Sequence, residues 1–147
     1  MNNLLLPYRW KFVGIVLAFF GIVSAILYSW FDLKFKMQVF AVYSSFLDTK
    51  YFVSFRTNFA DELTLLLLIC GLSLIIFSKE KDEFDGLDSL RFKALAKALI
   101  LNIIFLLFAV LFVYGSGFIA MLVINIFTFL VCYLLFFYLQ KSSLKER

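Results

Sequence analysis

The sequence predicts an all-α membrane protein, an antiparallel bundle of four transmembrane helices with one long extracytoplasmic loop. Three observations carry that expectation. Of 147 residues, 64% are apolar and 20% aromatic, with 21 Phe and no His. Soluble domains run at about 45–50% apolar, and a domain this small leaves much of its surface wet. That composition excludes a soluble globular chain and a disordered one. The charges are confined to short segments between apolar runs. Finally, Lys and Arg are distributed unequally among those segments, as the positive-inside rule requires of a threaded chain.

The first uncharged run, 12–31, has 20 residues and matches a hydrocarbon core about 30 Å thick. It is longer than a signal-peptide core and no A-x-A-like site follows it, so it reads as a retained helix. The run 63–78 has 16 residues, about 24 Å of helix, so this helix must begin earlier, near Phe59. The run 98–140 has 43 residues, too many for one span, and Gly115-Ser116-Gly117 breaks it. The expected spans are 12–31, 59–79, 94–114 and 118–140, within one membrane domain. Each must be helical, because lipid offers no partner to an unpaired backbone group.

An even number of spans leaves both termini on one side. Segments 1–11, 79–97 and 141–147 carry ten Lys/Arg, and segment 32–62 carries four. The expectation is a multi-pass protein of the bacterial inner membrane with cytoplasmic N and C termini. The net charge of +4 therefore reflects topology, and no basic-aromatic groove for nucleic acid is visible. Cys70 and Cys132 fall inside apolar runs and read as small core residues, without a disulfide or redox role.

The outer loop, 32–58, is the only sizeable segment outside the spans. Leu33, Phe35, Met37 and Val39 alternate with Lys34, Lys36 and Gln38, a period of two. Residues 51–57 are again β-branched and aromatic, and 44–49 supplies a turn. These features predict a two-stranded hairpin on the outer membrane surface; a short interfacial amphipathic helix is the alternative. Asn58 and Asp61 are placed to cap the second helix, with Asp61 and Glu62 in its first turn.

The inner loop, 80–93, is the densest charge run. Lys79/Glu83 and Lys81/Asp85 are i,i+4 pairs that would let the second helix run on into the cytoplasm, up to Gly86. Asp88 or Ser89 would cap the third helix. Glu80, Asp82, Glu83, Asp85 and Asp88 do not fit a calcium-loop spacing, and the interleaved lysines compete for them. No metal ligand set is assigned. Lys79, Glu80, Lys81, Asp82, Glu83 and Arg91 are instead candidates for docking a partner. Phe84, Leu87 and Leu90 form an apolar strip fit to pack beneath the bundle, and Lys97 is expected to snorkel from the third span.

Within the spans, Gly14, Ala18, Gly21 and Ala25 form a small-residue stripe that admits a second helix closely. Ala94, Ala98 and Asn102 do the same on the third helix. Asn125, Thr128 and Cys132 make a polar stripe on the fourth. Counted outward from Ser116, Asn102 and Thr128 differ in depth by about 3 Å, so a hydrogen bond between them is geometrically allowed. The same residues would line a polar path for a solute.

Several stretches together resemble a family of small bacterial four-helix integral membrane proteins with no established activity. They are Leu6-Pro7-Tyr8-Arg9, Val39-Phe40-Ala41-Val42-Tyr43-Ser44-Ser45, Asn58-x-x-Asp61-Glu62, Phe77-Ser78-Lys79-Glu80-Lys81-x-Glu83, Leu90-Arg91 and Phe112-Val113-Tyr114-Gly115. The likeness covers most of the chain. It departs where such proteins continue Glu-Asp-Glu after the second lysine and this chain has Asp82-Glu83-Phe84. The resemblance implies the four-span fold and carries across no catalytic or binding residue.

The missing chemistry narrows function. Without His, the Ser-His, Cys-His and His-metal sites are unavailable. There is no phosphate-binding loop and no carboxylate within the apolar runs. The expectation is a non-enzymatic protein without a cofactor. It would act as an accessory or regulatory subunit through helix packing and loop docking. Its partners would be the bilayer and a membrane protein or further copies of itself, and no nucleic acid. An oligomeric channel or small-solute transporter is the alternative, and an enzyme acting on lipid at the cytoplasmic boundary is the second alternative.

Overall fold

The computed structural model describes residues 5–31, 35–44, 50–81, 83–84 and 86–145. The chain is mostly helical. Its element order is α1 (Tyr8–Phe31), β1 (Lys36–Ser44), β2 (Lys50–Asn58), α2 (Ala60–Ile76), α3 (Leu87–Phe112) and α4 (Ser116–Lys145). Three helices, α1, α3 and α4, are long and apolar enough to cross a membrane. With 17 residues, α2 reaches about 26 Å.

The helix ends differ from the uncharged runs for a physical reason. Absence of charge marks what hydrocarbon tolerates, whereas caps and turns decide where a helix stops. The first helix starts at Tyr8 rather than 12, because Pro7 opens it and its carbonyl accepts the Trp10 N–H at 3.0 Å. The third starts at Leu87, ahead of its expected span at 94. Its cap is Gly86, whose φ of 105° suits glycine, and neither Asp88 nor Ser89 caps it. The fourth extends from Ser116 to Lys145, beyond the expected 118–140.

The second helix corrects the sequence reading most. It ends at Ile76, so Lys79 lies outside it, and the helix does not run on through Lys79/Glu83. Ser78 instead forms a parallel bridge with Leu6. The Leu6 N–H donates to the Phe77 carbonyl at 2.8 Å and the Leu6 carbonyl accepts the Lys79 N–H at 2.9 Å. Backbone groups that a longer helix would use are thus spent on the segment before α1. The pairing Lys81/Asp85 cannot be followed, since Asp82 and Asp85 lie outside the described residues.

The loop before α2 is a two-stranded antiparallel sheet, with Lys36 opposite Asn58, Gln38 opposite Arg56 and Phe40 opposite Ser54. Leu33, Lys34 and the turn residues 45–49 fall outside the described residues. Asn58 belongs to β2, and its Oδ1 accepts the N–H of Phe35 at 2.8 Å and that of Ala60 at 3.4 Å. It therefore ties the strand base and the helix start together.

Contacts divide the chain into two units, residues 13–71 and residues 1–12 with 72–147. In the second unit a small core gathers Leu87, Leu90, Ala94 and Ala98 of α3 with Tyr133 and Phe137 of α4. Ala94 and Ala98 are fully buried, and their small size admits the two rings. Phe84 stays exposed, apart from the Leu87/Leu90 strip it was expected to share.

Candidate functional site

The residues with the most specific placement lie in three groups. The first is ionic. Glu80, in the extended segment after α2, receives hydrogen bonds from Lys11 of α1 and, at 2.6 Å, from Lys141 of α4. Its side chain is only 9% exposed. Beside it, Arg91 of α3 is 3% exposed and donates to Glu83 at 2.9 Å and Asp88 at 3.3 Å. The Arg91 guanidinium also lies over the Phe137 ring at 5.9 Å, and Lys11 over the Tyr138 ring at 5.2 Å. Burial by itself pushes the Glu80 carboxyl up. The two lysine hydrogen bonds outweigh it and hold the group below its ordinary value.

These contacts divide the six docking candidates of the inner loop. Of the six candidates, Glu80 and Arg91 are buried and internally paired. Glu83 is turned toward Arg91 and also accepts the Glu80 N–H at 3.3 Å. Lys81 is exposed, Lys79 is half-buried, and Asp82 lies outside the described residues. The sequence showed the carboxylates but not their partners, because Lys11 and Lys141 are 69 and 61 residues away from Glu80.

The second group is the small-residue stripe of α1, in the unit 13–71. Gly14, Ala18 and Gly21 are buried and Ala25 is half-buried. The helix that meets them is α2. A Cβ on Gly71 would lie 2.5 Å from the Ala18 nitrogen and 2.9 Å from the Gly14 carbonyl oxygen. A Cβ on Gly21 would lie 2.8 Å from the Leu68 side chain. Gly71 is a contact residue that the sequence reading did not single out; a lone glycine in α2 has no stripe around it to draw notice. Ser24 and Thr64 add a hydrogen bond across the same pair at 2.7 Å, and Thr64 also donates to the Ala60 carbonyl. Near them a cavity of about 430 Å³ is lined by Phe20, Leu27, Tyr28, Phe35, Leu63 and Leu67 among others.

The third group is the polar stripe of α3 and α4. Asn102 bonds Asn125, not Thr128. The Asn125 amide donates to Asn102 Oδ1 at 3.0 Å, and the Asn102 amide donates to Asn125 Oδ1 at 3.4 Å. Thr128 donates back to the Ile124 carbonyl of its own helix at 2.9 Å. The count from Ser116 failed because residues 113–115 are turn, not helix. Measured from the helix ends, Asn102 lies about 15 Å from Phe112 and Asn125 about 13.5 Å from Ser116. The two are therefore level. Asn102 and Asn125, which a polar path would present to a lumen, spend their amides on each other.

Among the described residues no cluster of three or more His, Cys, Asp or Glu side chains could hold a metal ion. Cys70 is exposed and Cys132 half-buried, and both are free thiols. Lys97 is exposed on α3. What these groups do chemically is hold elements in register: one carboxylate joins three segments, and one amide pair joins two helices. No protein-family model, curated protein or solved structure matches the chain.

Proposed function

We propose that the chain is a four-span protein of the bacterial cytoplasmic membrane that serves as an accessory or regulatory subunit, acting by association rather than catalysis. In this reading both termini are cytoplasmic, α2 is the fourth span, and the four helices form one bundle. The chain would belong with the small bacterial membrane proteins it resembles. The observation that carries the reading is the uncovered surface of α3 and α4. Only 11% and 6% of their apolar spans are buried within the chain. They meet along one face, through Ala94, Ala98, Tyr133 and Phe137, and leave Phe92, Phe108, Ile119, Leu135 and Leu139 outward. Surface of that kind suits lipid and the helices of a partner equally. The partner is preferred to a polar path because Asn102 with Asn125, and Ser24 with Thr64, spend their side chains on each other.

Extraction in native lipid followed by intact-mass determination tests this. A stoichiometric complex with a second membrane protein supports the reading, and a lone monomer overturns it. Thiol-reactive labelling of single-cysteine variants at positions 81 and 50, applied to intact cells, tests the threading. Labelling at 50 alone agrees with it, and labelling at 81 reverses it.

A further inference from the structure

The β1–β2 hairpin has two unlike faces. One carries Val39, Ala41, Val53, Phe55 and Thr57, all half-buried, between the exposed Met37 at its base and Tyr51 toward its tip. The other is exposed and graded along its length. At its base lie Lys36 and Arg56, which are diagonal neighbours on that face. Gln38 and Ser54 follow, joined at 3.2 Å. Toward the tip come Phe40, Val42 and Phe52, which are 67%, 59% and 69% exposed. The Phe40 and Phe52 rings sit 6.4 Å apart.

Nothing among the described residues of the hairpin accounts for this face. An isolated two-stranded hairpin is marginal without a surface to lie on. Lys36 and Arg56 make no ion pair among the described residues, and the described strands contain no Asp or Glu. Phe52 is also held at φ 52°, a left-handed conformation that side chains other than Asn, Asp and Gly rarely adopt. A large exposed aromatic ring in a strained backbone marks a place where structure has been kept for contact.

We propose that this face binds an anionic lipid surface, with Phe40, Val42 and Phe52 entering the acyl boundary and Lys36 and Arg56 on the phosphates. The inference rests on the membrane reading above. Three features select this occupant. The cations lack any carboxylate on the described strands and so match an anion. A second copy laid face to face, base over base, would instead oppose like charges. The strands also join directly to helices: one residue, Phe59, separates β2 from α2, and residues 32–35 separate β1 from α1, which is apolar enough to cross a membrane. The hairpin is thereby held at the leaflet surface at high effective concentration, where aromatic and cationic side chains favour the headgroup boundary.

The experiment uses the full chain with Cys70→Ser and Cys132→Ser, carrying Val42→Cys or Ala41→Cys labelled with a polarity-sensitive fluorophore. It is reconstituted into vesicles of phosphatidylcholine alone or with 30% phosphatidylglycerol. On anionic vesicles the label at 42 shifts to the blue and is reached by a quencher placed in the bilayer, whereas the label at 41 is not. On neutral vesicles the label at 42 stays in water. Lys36→Ala with Arg56→Ala lowers the bound-to-free ratio roughly thirty-fold, and raising the salt does the same in part. A label at 42 that remains in water on anionic vesicles overturns the proposal. So does burial of the label at 41 instead of 42. Burial that appears only together with cross-linked dimers assigns the face to a second copy and also overturns it. Vesicle flotation separates the two levels of failure: a chain that does not float fails the membrane reading, and one that floats with a wet hairpin fails this inference alone.

Discussion

Between residues 13 and 71, helices α1 and α2 meet through backbone and small side chains: Gly14, Ala18 and Gly21 on one, Leu68 and Gly71 on the other. In the unit made of residues 1–12 and 72–147, α3 and α4 meet through small residues and rings as well, but the segment after α2 is held by charge, with Lys11 and Lys141 on the Glu80 carboxylate and Arg91 on Glu83 and Asp88. The difference follows from what each contact joins. Two apolar helices have no hydrophobic drive toward each other in lipid, so closeness and dispersion must hold them. The extended segment after α2 has no helix of its own to satisfy it, and a carboxylate with two lysines fixes it in place. The ionic contact should therefore depend on pH and on single groups, and the small-residue contact on volume alone.

Breaking the ionic contact should have the largest effect. Glu80→Ala leaves the buried Lys11 and half-buried Lys141 ammonium groups without their carboxylate and should cost about 3–5 kcal/mol, read from denaturant unfolding in mild detergent. Glu80→Gln should cost less, since it keeps an acceptor for one lysine. The acid limb sharpens the point. Because the folded state holds Glu80 below its ordinary value of 4.5, its stabilisation is present above pH 4.5 and is lost as pH falls through the lowered value. The wild-type chain should lose stability there, and Glu80→Gln should lack that part of the decline. An unchanged acid limb in the variant would remove Glu80 as its source.

The small-residue contact should break by addition. Gly71→Ala drives a methyl into the Ala18 backbone, which cannot turn aside, and should cost about 2–3 kcal/mol. Gly21→Ala meets chiefly the Leu68 side chain, which has other rotamers, and should cost about 1 kcal/mol. Neither loss should vary between pH 4 and pH 8. Equal costs at the two glycines would show that α2 shifts bodily rather than holding its backbone against Ala18.

The Asn102–Asn125 pair stands between the two kinds of contact: polar, yet uncharged. Asn102→Leu should cost about 1 kcal/mol by orphaning the Asn125 amide. Asn102→Leu with Asn125→Leu should recover most of that loss, since removing both partners leaves no unpaired group. A double-mutant cycle in detergent measures the coupling, and simple additivity would dissolve the pair.

How far these contacts were legible depends on their range. Helices, hairpin and the stripe of Gly14, Ala18, Gly21 and Ala25 are written in local composition and spacing. Gly71 is the missing half of that stripe, and nothing near it in sequence signals its role. The charges of 79–91 were visible, but read alone they suggested a continuing helix and a surface for docking a partner; only the approach of Lys11 and Lys141 makes Glu80 an internal post. The ending of α2 at Ile76 was hidden for the same reason, since Leu6 is what occupies the backbone of Phe77 and Lys79. The Asn102 partner was missed by one turn of helix, because three residues at 113–115 were counted as helical.

The smallest effect separates the hairpin from both helical contacts. Phe52 carries backbone strain at φ 52°, which Asn relieves because its short polar side chain tolerates the left-handed region. In detergent, Phe52→Asn should therefore slow hydrogen exchange of the β1–β2 amides about twofold, equivalent to about 0.4 kcal/mol. On anionic vesicles the sign should reverse, because the ring that is lost there is one that enters the leaflet. Exchange in the variant should then exceed that of the wild-type chain, which its lipid contact protects. Slower exchange in both media would mean that the strain serves nothing outside the hairpin. The reversal requires that the local cost at Phe52 be recovered only when the surface is present, as expected of a residue kept for contact.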